Sequence, residues 1–296
     1  MAISKAEKAR RTKEMVRKAD EIIAAKRNQG HKTARSKASV ILPIADGAVF
    51  VVSDQHYYPG HEPSPAHKAS LYLAARLKPV AIINNGDSID GASISRWPAS
   101  SYAALGAQPT VFAELTEAQT RLREFEDLKF VKYCIWNMGN HDARFETRLA
   151  DKVPEYAGIN GFTLKDHIPG WVPAWSTWIG ERGKPGSVVI KHRFKGGMYA
   201  ANNNALWAGV NMVTGHDHTL WAKPITDYTG TRWGMTAGTL AAIDSLHFLN
   251  YTEDNPVNWQ SGFLILHFRG GVFTGPEQVH ALPDGRVLFR GDILEV

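Results

Sequence analysis

Apolar and polar positions between residues 40 and 136 follow strand and helix periods in turn. The predicted elements are strands over 48–53, 80–85 and 130–136 and helices over about 66–77 and 110–128. The second helix has the clearest pattern, because one apolar stripe runs along it and Pro109 suits its entry. This βαβαβ order predicts an α/β fold with a parallel sheet.

The second half of the chain has a different pattern, with short apolar runs and few helix signals. These runs predict a second sheet of short strands over 233–240, 263–268, 271–274 and 286–289. Two stretches look irregular: 91–109, rich in Ala, Ser and Gly, and 153–186, rich in Pro, Gly and Trp. Long loops in a compact domain are often functional, so both are candidate walls of a substrate site.

The N-terminal segment differs in charge from everything after it. Residues 1–40 hold 12 Lys and Arg against 4 Asp and Glu, which is +8, whereas the whole chain is +5 and the remainder therefore −3. Apolar residues at helical spacing predict a helix over 4–27. We therefore divide the chain into a basic helical extension with its linker, 1–39, and one domain, 40–296.

The basic segment allows two interpretations. Lys and Arg at this density favour a nearby polyanion, because neutralising phosphates releases counterions. Alternatively, the helix packs its apolar stripe on the body or on another subunit.

Nothing in the sequence resembles a secretory signal or a membrane span, so cytoplasmic residence is expected. Cys134 is the only cysteine, which excludes an intrachain disulfide. It lies in an apolar run and is expected to be a small core residue. The oligomeric state is left open.

Polar clusters punctuate the domain, and the first three directly follow apolar runs. They are Asp54-Gln55-His56, Gly86-Asp87-Ser88-Ile89-Asp90, Gly139-Asn140-His141-Asp142, His192 and Gly215-His216-Asp217-His218. Ligands of open α/β sheets bind at the carboxyl ends of strands. Each cluster alone is weak, but together they supply oxygen and nitrogen ligands in the mixture suited to Zn, Mn or Fe.

In this order the clusters resemble the signature of the calcineurin-like metallophosphoesterase superfamily: Asp-x-His, Gly-Asp-x-x-Asp, Gly-Asn-His-Asp or -Glu, a lone His, then Gly-His-x-His. The resemblance covers residues 48–218 and implies a four-layer α/β/β/α sandwich with two bound metal ions. Its implied metal ligands are Asp54, His56 and His218 for the first ion, Asn140, His192 and His216 for the second, and Asp87 as the bridge.

The resemblance also implies a catalytic pair, in which His141 is the general acid or leaving-group stabiliser and Asp90 orients it. His192 is followed by Arg193 where the family usually has Gly, so His167 is kept as the alternative ligand. Asp217 is interpreted as structural. Substrate contacts are proposed for Arg144, Arg193 and Trp97, although Asp142 and Arg144 are alternatively ordinary helix-start residues.

The predicted function is hydrolysis of a phosphoester by in-line attack of a metal-bridging hydroxide, with Mn²⁺ the leading ion and Fe, Zn, Ni or Mg as alternatives. Gly91 follows Asp90 where Ser/Thr protein phosphatases carry Arg, which disfavours that branch. We expect a phosphodiesterase or nuclease acting on nucleic acid or a nucleotide derivative. The alternatives are a phosphomonoesterase or nucleotide phosphatase and a non-catalytic binding platform.

Overall fold

The computed structural model describes residues 38–96, 108–244 and 255–296, together with the single residues Glu14, Gly106, Phe248 and Thr252. The predicted helix over 4–27, apart from Glu14, and the predicted substrate residue Trp97 lie outside the described residues. The division at residues 39 and 40 stays a prediction.

One sheet has eight strands. It includes the three strands predicted over 48–53, 80–85 and 130–136. Its order is β14-β13-β12-β11-β2-β3-β4-β5, with β2 Gly47–Val52, β3 Ala81–Asn84, β4 Tyr133–Asn137, β5 Val172–Ala174, β11 Gly262–Arg269, β12 Val272–Ala281, β13 Arg286–Phe289 and β14 Asp292–Glu295. Strands β2 to β5 are parallel, so their carboxyl ends share one edge.

The other sheet has six strands. Its order is β1-β6-β7-β8-β10-β9, with β1 Val40–Leu42, β6 Thr177–Ile179, β7 Val188–Ile190, β8 Asn211–Thr214, β9 Leu220–Asp227 and β10 Gly230–Ala237. Strands β7 and β8 pair in parallel and end at the same edge of this sheet.

The first two helices begin where the sequence supplies a capping side chain. The helices are α1 Pro65–Leu77, α2 Val111–Glu126, α3 Asp142–Lys152, α4 Leu164–His167 and α5 Ala200–Ala208, with 3₁₀ turns at Ala92–Ile94 and Pro154–Tyr156. The Ser64 side chain accepts a hydrogen bond from the backbone N–H of His67 at the start of α1, and Thr110 accepts one from Ala113 at the start of α2. Among the described residues, no helix is long and apolar enough to cross a membrane.

The two sheets pack on each other through a shared apolar core. Val49 and Val51 of β2 lie in one cluster with Ile190 of β7, Val213 of β8 and Met235 of β10. Alternate side chains of a strand point to opposite faces, so the remaining β2 residues face away from that core.

The outer face of each sheet is covered by helices. Phe50 of β2 packs with Leu73 of α1 and with Phe125 of α2. On the six-stranded sheet, Ala205 of α5 packs with Met212 of β8. The expectation of an α/β protein with two sheets and few helices is therefore confirmed.

The C-terminal strands correct one prediction. The runs at 263–268, 271–274 and 286–289 do not form a second sheet; they extend the first one, because β11 pairs antiparallel with β2. Phe263 and Ile265 pack on one face of β11 and Leu264 and Leu266 on the other. A strand buried on both faces belongs in the middle of a sheet.

The stretch 153–186 corrects a second prediction. It was expected to be irregular, but it contains α4, β5 and β6, and the two strands join different sheets. The Pro and Gly residues separate very short elements, which periodicity over a longer window does not reveal.

Candidate metal centre

The predicted ligands meet where five strands end. Asp54 and His56 follow β2, Asp87 follows β3, and Asn140 follows β4 of the eight-stranded sheet. The six-stranded sheet supplies the rest: His192 after β7, then His216 and His218 after β8. Both sheets therefore contribute to one site.

Three groups of side chains each bring three ligand atoms within 4.8 Å of one another; one joins His56 to Asp90 and His141, and the other two contain only predicted metal ligands. We call Asp54, His56 and His218 the first cluster, and Asp87, His192 and His216 the second cluster. These groups match the division between two ions that the resemblance implies, with Asp87 assigned to the second. All six side chains are buried except that of His216, which is partly exposed.

The ligand side chains lie closely against each other. His218 Nε2 is 3.2 Å from Asp54 Oδ1, and His192 Nε2 is 3.1 Å from Asp87 Oδ2. The backbone N–H of His56 donates to the carbonyl of Asp87 at 3.0 Å, which joins the loops after β2 and β3.

Several ligands have a backbone conformation that non-glycine residues rarely adopt. Positive φ occurs at Asp54, His56, Asp87, His216 and His218, which are five of the seven non-glycine residues with positive φ in the described parts of the chain. Such strain costs about 1–3 kcal/mol per residue and concentrates at functional sites. The strand-end turns therefore serve side-chain placement rather than chain stability.

Two glycines allow the ligand loops to approach closely. A Cβ on Gly139 would lie 2.0 Å from Asp87 Oδ1, and one on Gly215 would lie 2.1 Å from Ser53 Oγ and 2.6 Å from Asp54 Oδ2. No side chain fits at these distances. Glycine is therefore required at the first position of the Gly-Asn-His and Gly-His motifs, because a side chain there would overlap a carboxylate.

Asp142, interpreted from sequence as a helix-start residue, is buried beneath the site. Its carboxylate accepts hydrogen bonds from the backbone N–H groups of Asp87, Ser88 and Gly139 at 2.8–2.9 Å. It also accepts one from Trp136 Nε1 at 3.1 Å. Asp142 therefore holds the Asp87 loop against the loop after β4, a role that the sequence analysis missed.

A buried amide supports the same loop from the other side. Asn84 Oδ1 accepts from Gln55 Nε2 at 2.9 Å and from the backbone N–H of Gly86 at 3.2 Å. Asn84 Nδ2 donates to Ser88 Oγ at 2.6 Å. Only the tertiary arrangement reveals this role, because nothing in the local sequence marks the Asn at the end of β3.

Buried atoms without a hydrogen-bond partner show that the residues suit metal ions. Among the described residues these atoms include His56 Nε2, His218 Nδ1 and Asn140 Oδ1. Buried polar atoms are normally paired. His192 Nδ1 donates to the carbonyl of Asn85 at 2.7 Å, which fixes the ring so that Nε2 faces Asp87. These atoms could hold divalent cations.

The electrostatics of the site also favour bound cations. Burial opposes ionisation of Asp54 and Asp87, yet His192 keeps the pKa of both carboxyls below its usual value. Burial would also lower the pKa of His192, but the Asp87 and Asp54 carboxylates raise it to about 10. The two carboxylates therefore attract positive charge, which divalent ions would supply.

The predicted catalytic pair is in contact. His141 Nδ1 lies 3.0 Å from Asp90 Oδ1 and 2.8 Å from the Asp90 carbonyl, which fixes the ring. Burial lowers the pKa of His141, but its hydrogen bond to Asp90 and the Asp87 charge raise it above its usual value. Asp90 also lies 3.3 Å from His56 Nδ1, so it orients a residue of the first cluster as well.

The predicted substrate residues Arg144 and Arg193 line one cleft beside the second cluster. Arg144 Nη1 donates to the Asp90 carbonyl at 2.8 Å, and its Nη2 lies 3.3 Å from His141 Nε2. Arg193 is exposed.

Two other sequence interpretations are clarified by position. His167, the alternative to His192, is in neither cluster; its Nε2 lies 2.8 Å from the Gly161 carbonyl and its ring contacts Phe145. Asp217 is half-buried and is in neither cluster.

Aromatic rings close the first cluster on one side. Phe248 meets His56 edge to face with ring centroids 5.7 Å apart, and Trp259 lies 4.5 Å from the His218 ring. The sequence analysis assigned no role to either residue.

Comparison with known proteins gives weak likenesses. No family model and no curated protein matches the chain. Similar solved structures include zinc-bound Vps29 from Entamoeba histolytica, at 12% identity over 83% of this chain and 96% of that one with a TM-score of 0.40. Others are the phosphoesterase YfcE from E. coli (15%, 78% and 98%, 0.36) and a dimetal phosphatase from Danio rerio (11%, 80% and 99%, 0.37).

With TM-scores below 0.5, these likenesses carry no weight for the chemistry, which rests on the residues themselves. The chain resembles calcineurin-like metallophosphoesterases in the order of its motifs, and the structure places those motifs at the carboxyl ends of strands from two sheets.

Proposed function

We propose that this protein is a phosphoesterase dependent on two divalent metal ions, and that it hydrolyses phosphodiesters of nucleic acid or of a nucleotide derivative. The observation that carries the proposal is the convergence of two buried carboxylates with unpartnered histidine and asparagine atoms. Asp54, His56 and His218 would hold one ion, and Asn140, His192 and His216 the other, with Asp87 between them.

When bound, the two ions would neutralise the anionic ester and provide hydroxide near neutral pH. The chain's own contribution is orientation and proton transfer. Asp90 accepts the His141 Nδ1–H, so Nε2 faces the site, where it donates a proton to the departing oxygen. The raised pKa of His141 favours the protonated form that this role needs.

Arg144 acts on the same residues. Its contact with the Asp90 carbonyl holds the loop after β3 against α3, and its guanidinium lies beside His141 Nε2, where its charge works against the raised pKa of His141. A planar donor there suits a phosphate oxygen. The preference for Mn²⁺ and the cytoplasmic location remain predictions from the sequence.

The test uses the purified full chain reconstituted separately with Mn²⁺, Fe²⁺, Zn²⁺, Ni²⁺ and Mg²⁺. We expect hydrolysis of bis-p-nitrophenyl phosphate, and we expect Asp87→Asn to abolish both that activity and the binding of two metal equivalents. Asp284→Asn, in an exposed turn between β12 and β13, is the matched control.

Hydrolysis of p-nitrophenyl phosphate alone would make the protein a phosphomonoesterase and contradict the diesterase assignment. Less than one bound equivalent, with no activity after metal addition, would favour a non-catalytic binding platform.

A further inference from the structure

A cleft of about 680 Å³ opens beside the second cluster and follows one side of α3. Asn140 and His192 line the end at the metal centre, and Arg144, Arg148 and Asp151 line it along the helix. The cleft therefore continues from the proposed reaction site onto the protein surface.

The lining of this cleft is strongly basic. Five cationic side chains border it: Arg96, Arg144, Arg148, Lys191 and Arg193. The one acidic residue among the cleft's lining residues, Asp151, lies 2.9 Å from Lys152 Nζ. A concave surface lined by one sign of charge concentrates its field and attracts polyanions. This basicity is notable because residues after 40 carry a net charge of −3.

Two of these cations are available to a ligand. Arg148 and Arg193 are exposed and form no ion pair within 4 Å with the described residues. The Arg148 charge nevertheless acts on the nearby Asp151, whose pKa is lowered by its hydrogen bond with the adjacent lysine and, to a smaller extent, by Arg148. Arg144, by contrast, is held by the Asp90 carbonyl. Arg148 is one helical turn beyond Arg144, about 6 Å further along α3, so the two guanidinium groups lie on one face at increasing distance from the metal centre.

An exposed indole shares the cleft. Trp175, between β5 and β6, has 52% of its surface exposed and lines the cleft, whereas Trp171 in the same stretch is buried in the core. Stacking of a base on an aromatic side chain needs an unpaired base and tolerates any sequence, because every base has a π-face. The combination of guanidinium groups and an indole suits a nucleotide chain that is not in a duplex.

We propose that this cleft binds a single-stranded polynucleotide next to the scissile phosphodiester, with Arg148 and Arg193 contacting non-scissile phosphates and Trp175 stacking on a base. This inference rests on the proposed function and specifies its substrate as a polymer. A mononucleotide or cyclic nucleotide would leave the outer part of the cleft unused.

The test compares two substrates of the metal-loaded full chain: a single-stranded oligodeoxythymidylate and bis-p-nitrophenyl phosphate, which has no neighbouring phosphate. Arg148→Ala should lower kcat/KM for the oligonucleotide at least fivefold and change that for the small diester less than twofold. Trp175→Ala should act likewise, and Trp175→Phe should restore most of the loss.

Arg269→Ala is the matched control, because Arg269 ends β11 beside the start of β2, at the opposite edge of the sheet from the metal centre. It should change neither substrate. The dependence of binding on salt adds an independent readout, since loss of one phosphate contact reduces the slope of log K against log salt by about 0.7 for a single strand.

Equal losses on both substrates, or no loss in Arg148→Ala and Trp175→Ala, would overturn the inference. So would duplex DNA that competes as well as the single strand. If the wild-type chain hydrolyses nothing with any ion, the proposed function fails, and fluorescence anisotropy with a labelled oligodeoxythymidylate then decides the cleft separately. At least fivefold weaker binding by Arg148→Ala than by Arg269→Ala would support it, and equal binding would refute it.

Discussion

Two of the histidine–carboxylate pairs in the described parts of the chain differ in what the second ring nitrogen contacts. In one, His67 Nε2 lies 2.6 Å from Glu124 Oε2, and Nδ1 lies 3.1 Å from the buried Tyr57 hydroxyl. In the other, Asp90 contacts His141 Nδ1, and Nε2 faces Arg144 and the ligand carboxylate Asp87, 3.9 Å away.

The role of a histidine–carboxylate pair therefore depends on the residues around it and not on the pair itself. His67 is buried between α1 and α2 with Phe125 against its ring, so both nitrogens are occupied by protein. His141 keeps one nitrogen on the side of the metal centre. The first pair therefore stabilises the fold, while the second is available for proton transfer.

Among changes to these two pairs, the largest expected effect is that of His141→Asn. With the acid removed, turnover should fall by about 10²–10⁴-fold for poor leaving groups and less for p-nitrophenolate, while the metal content stays unchanged. Steady-state kinetics over a series of phenyl esters and metal analysis measure both. His67→Asn is the matched control and should leave kcat unchanged; similar losses of kcat in the two variants would remove the distinction between the pairs.

Asp90→Asn should have a smaller effect on catalysis. Because Asp90 orients both His141 and His56, its loss should cost about 10–100-fold in activity or metal affinity, as for other residues that position ligands. Titration with Mn²⁺ followed by activity assays separates the two contributions. Unaltered kcat and unaltered metal affinity would show that the observed contacts do not position either histidine.

Glu124→Gln should alter stability and leave catalysis unchanged. Replacing the charged partner of a buried histidine should lower the free energy of unfolding by about 1–3 kcal/mol. Urea denaturation of the metal-free chain and kcat of the metal-loaded chain provide the two readouts. A loss of kcat without loss of stability would place this pair with the catalytic one.

The smallest expected effect is on how the free energy of unfolding depends on pH. Burial would raise the pKa of Glu124, but its hydrogen bond to His67 and its contact with Arg121 lower it below its usual value near 4.5. A lowered pKa gives stability that is complete above the usual value and is lost as pH falls through the folded-state pKa.

Unfolding free energies measured between pH 7 and pH 3 should therefore decline less steeply in Glu124→Gln than in the wild type. Parallel curves over that range would contradict the contribution assigned to Glu124.

The strands next to the site were predictable because buried parallel strands are continuous apolar runs. Their carboxyl ends at Val52, Asn84 and Asn137 were each predicted to within about one residue, whereas β4 begins at Tyr133, about three residues later than predicted. The ligand positions followed from motifs at these ends, and their roles as ligands remain predictions. Short strands such as β5 and β6 were missed because three residues give no period to detect.

The supporting residues were not predictable, since their roles depend on contacts across the fold. Asp142 looks like an ordinary first residue of α3 until its carboxylate is seen beneath three backbone N–H groups. The sheet to which β11 belongs was not predictable either. This strand is apolar on both faces, which indicates burial but does not identify the strand that pairs with it. The sequence favoured His192 over His167 as the lone ligand, and only the structure shows that His167 lies in neither cluster.

The supply of predicted metal ligands from both sheets has a thermodynamic consequence. His192, His216 and His218 follow strands of one sheet, whereas Asp54 and Asp87 follow strands of the other, so ions bound there bind the native state only. Free metal at 100 times its Kd would then raise the unfolding free energy by about 2.7 kcal/mol. The melting temperature of this protein would thus depend on metal concentration, and chelation would make it easier for proteases to cleave.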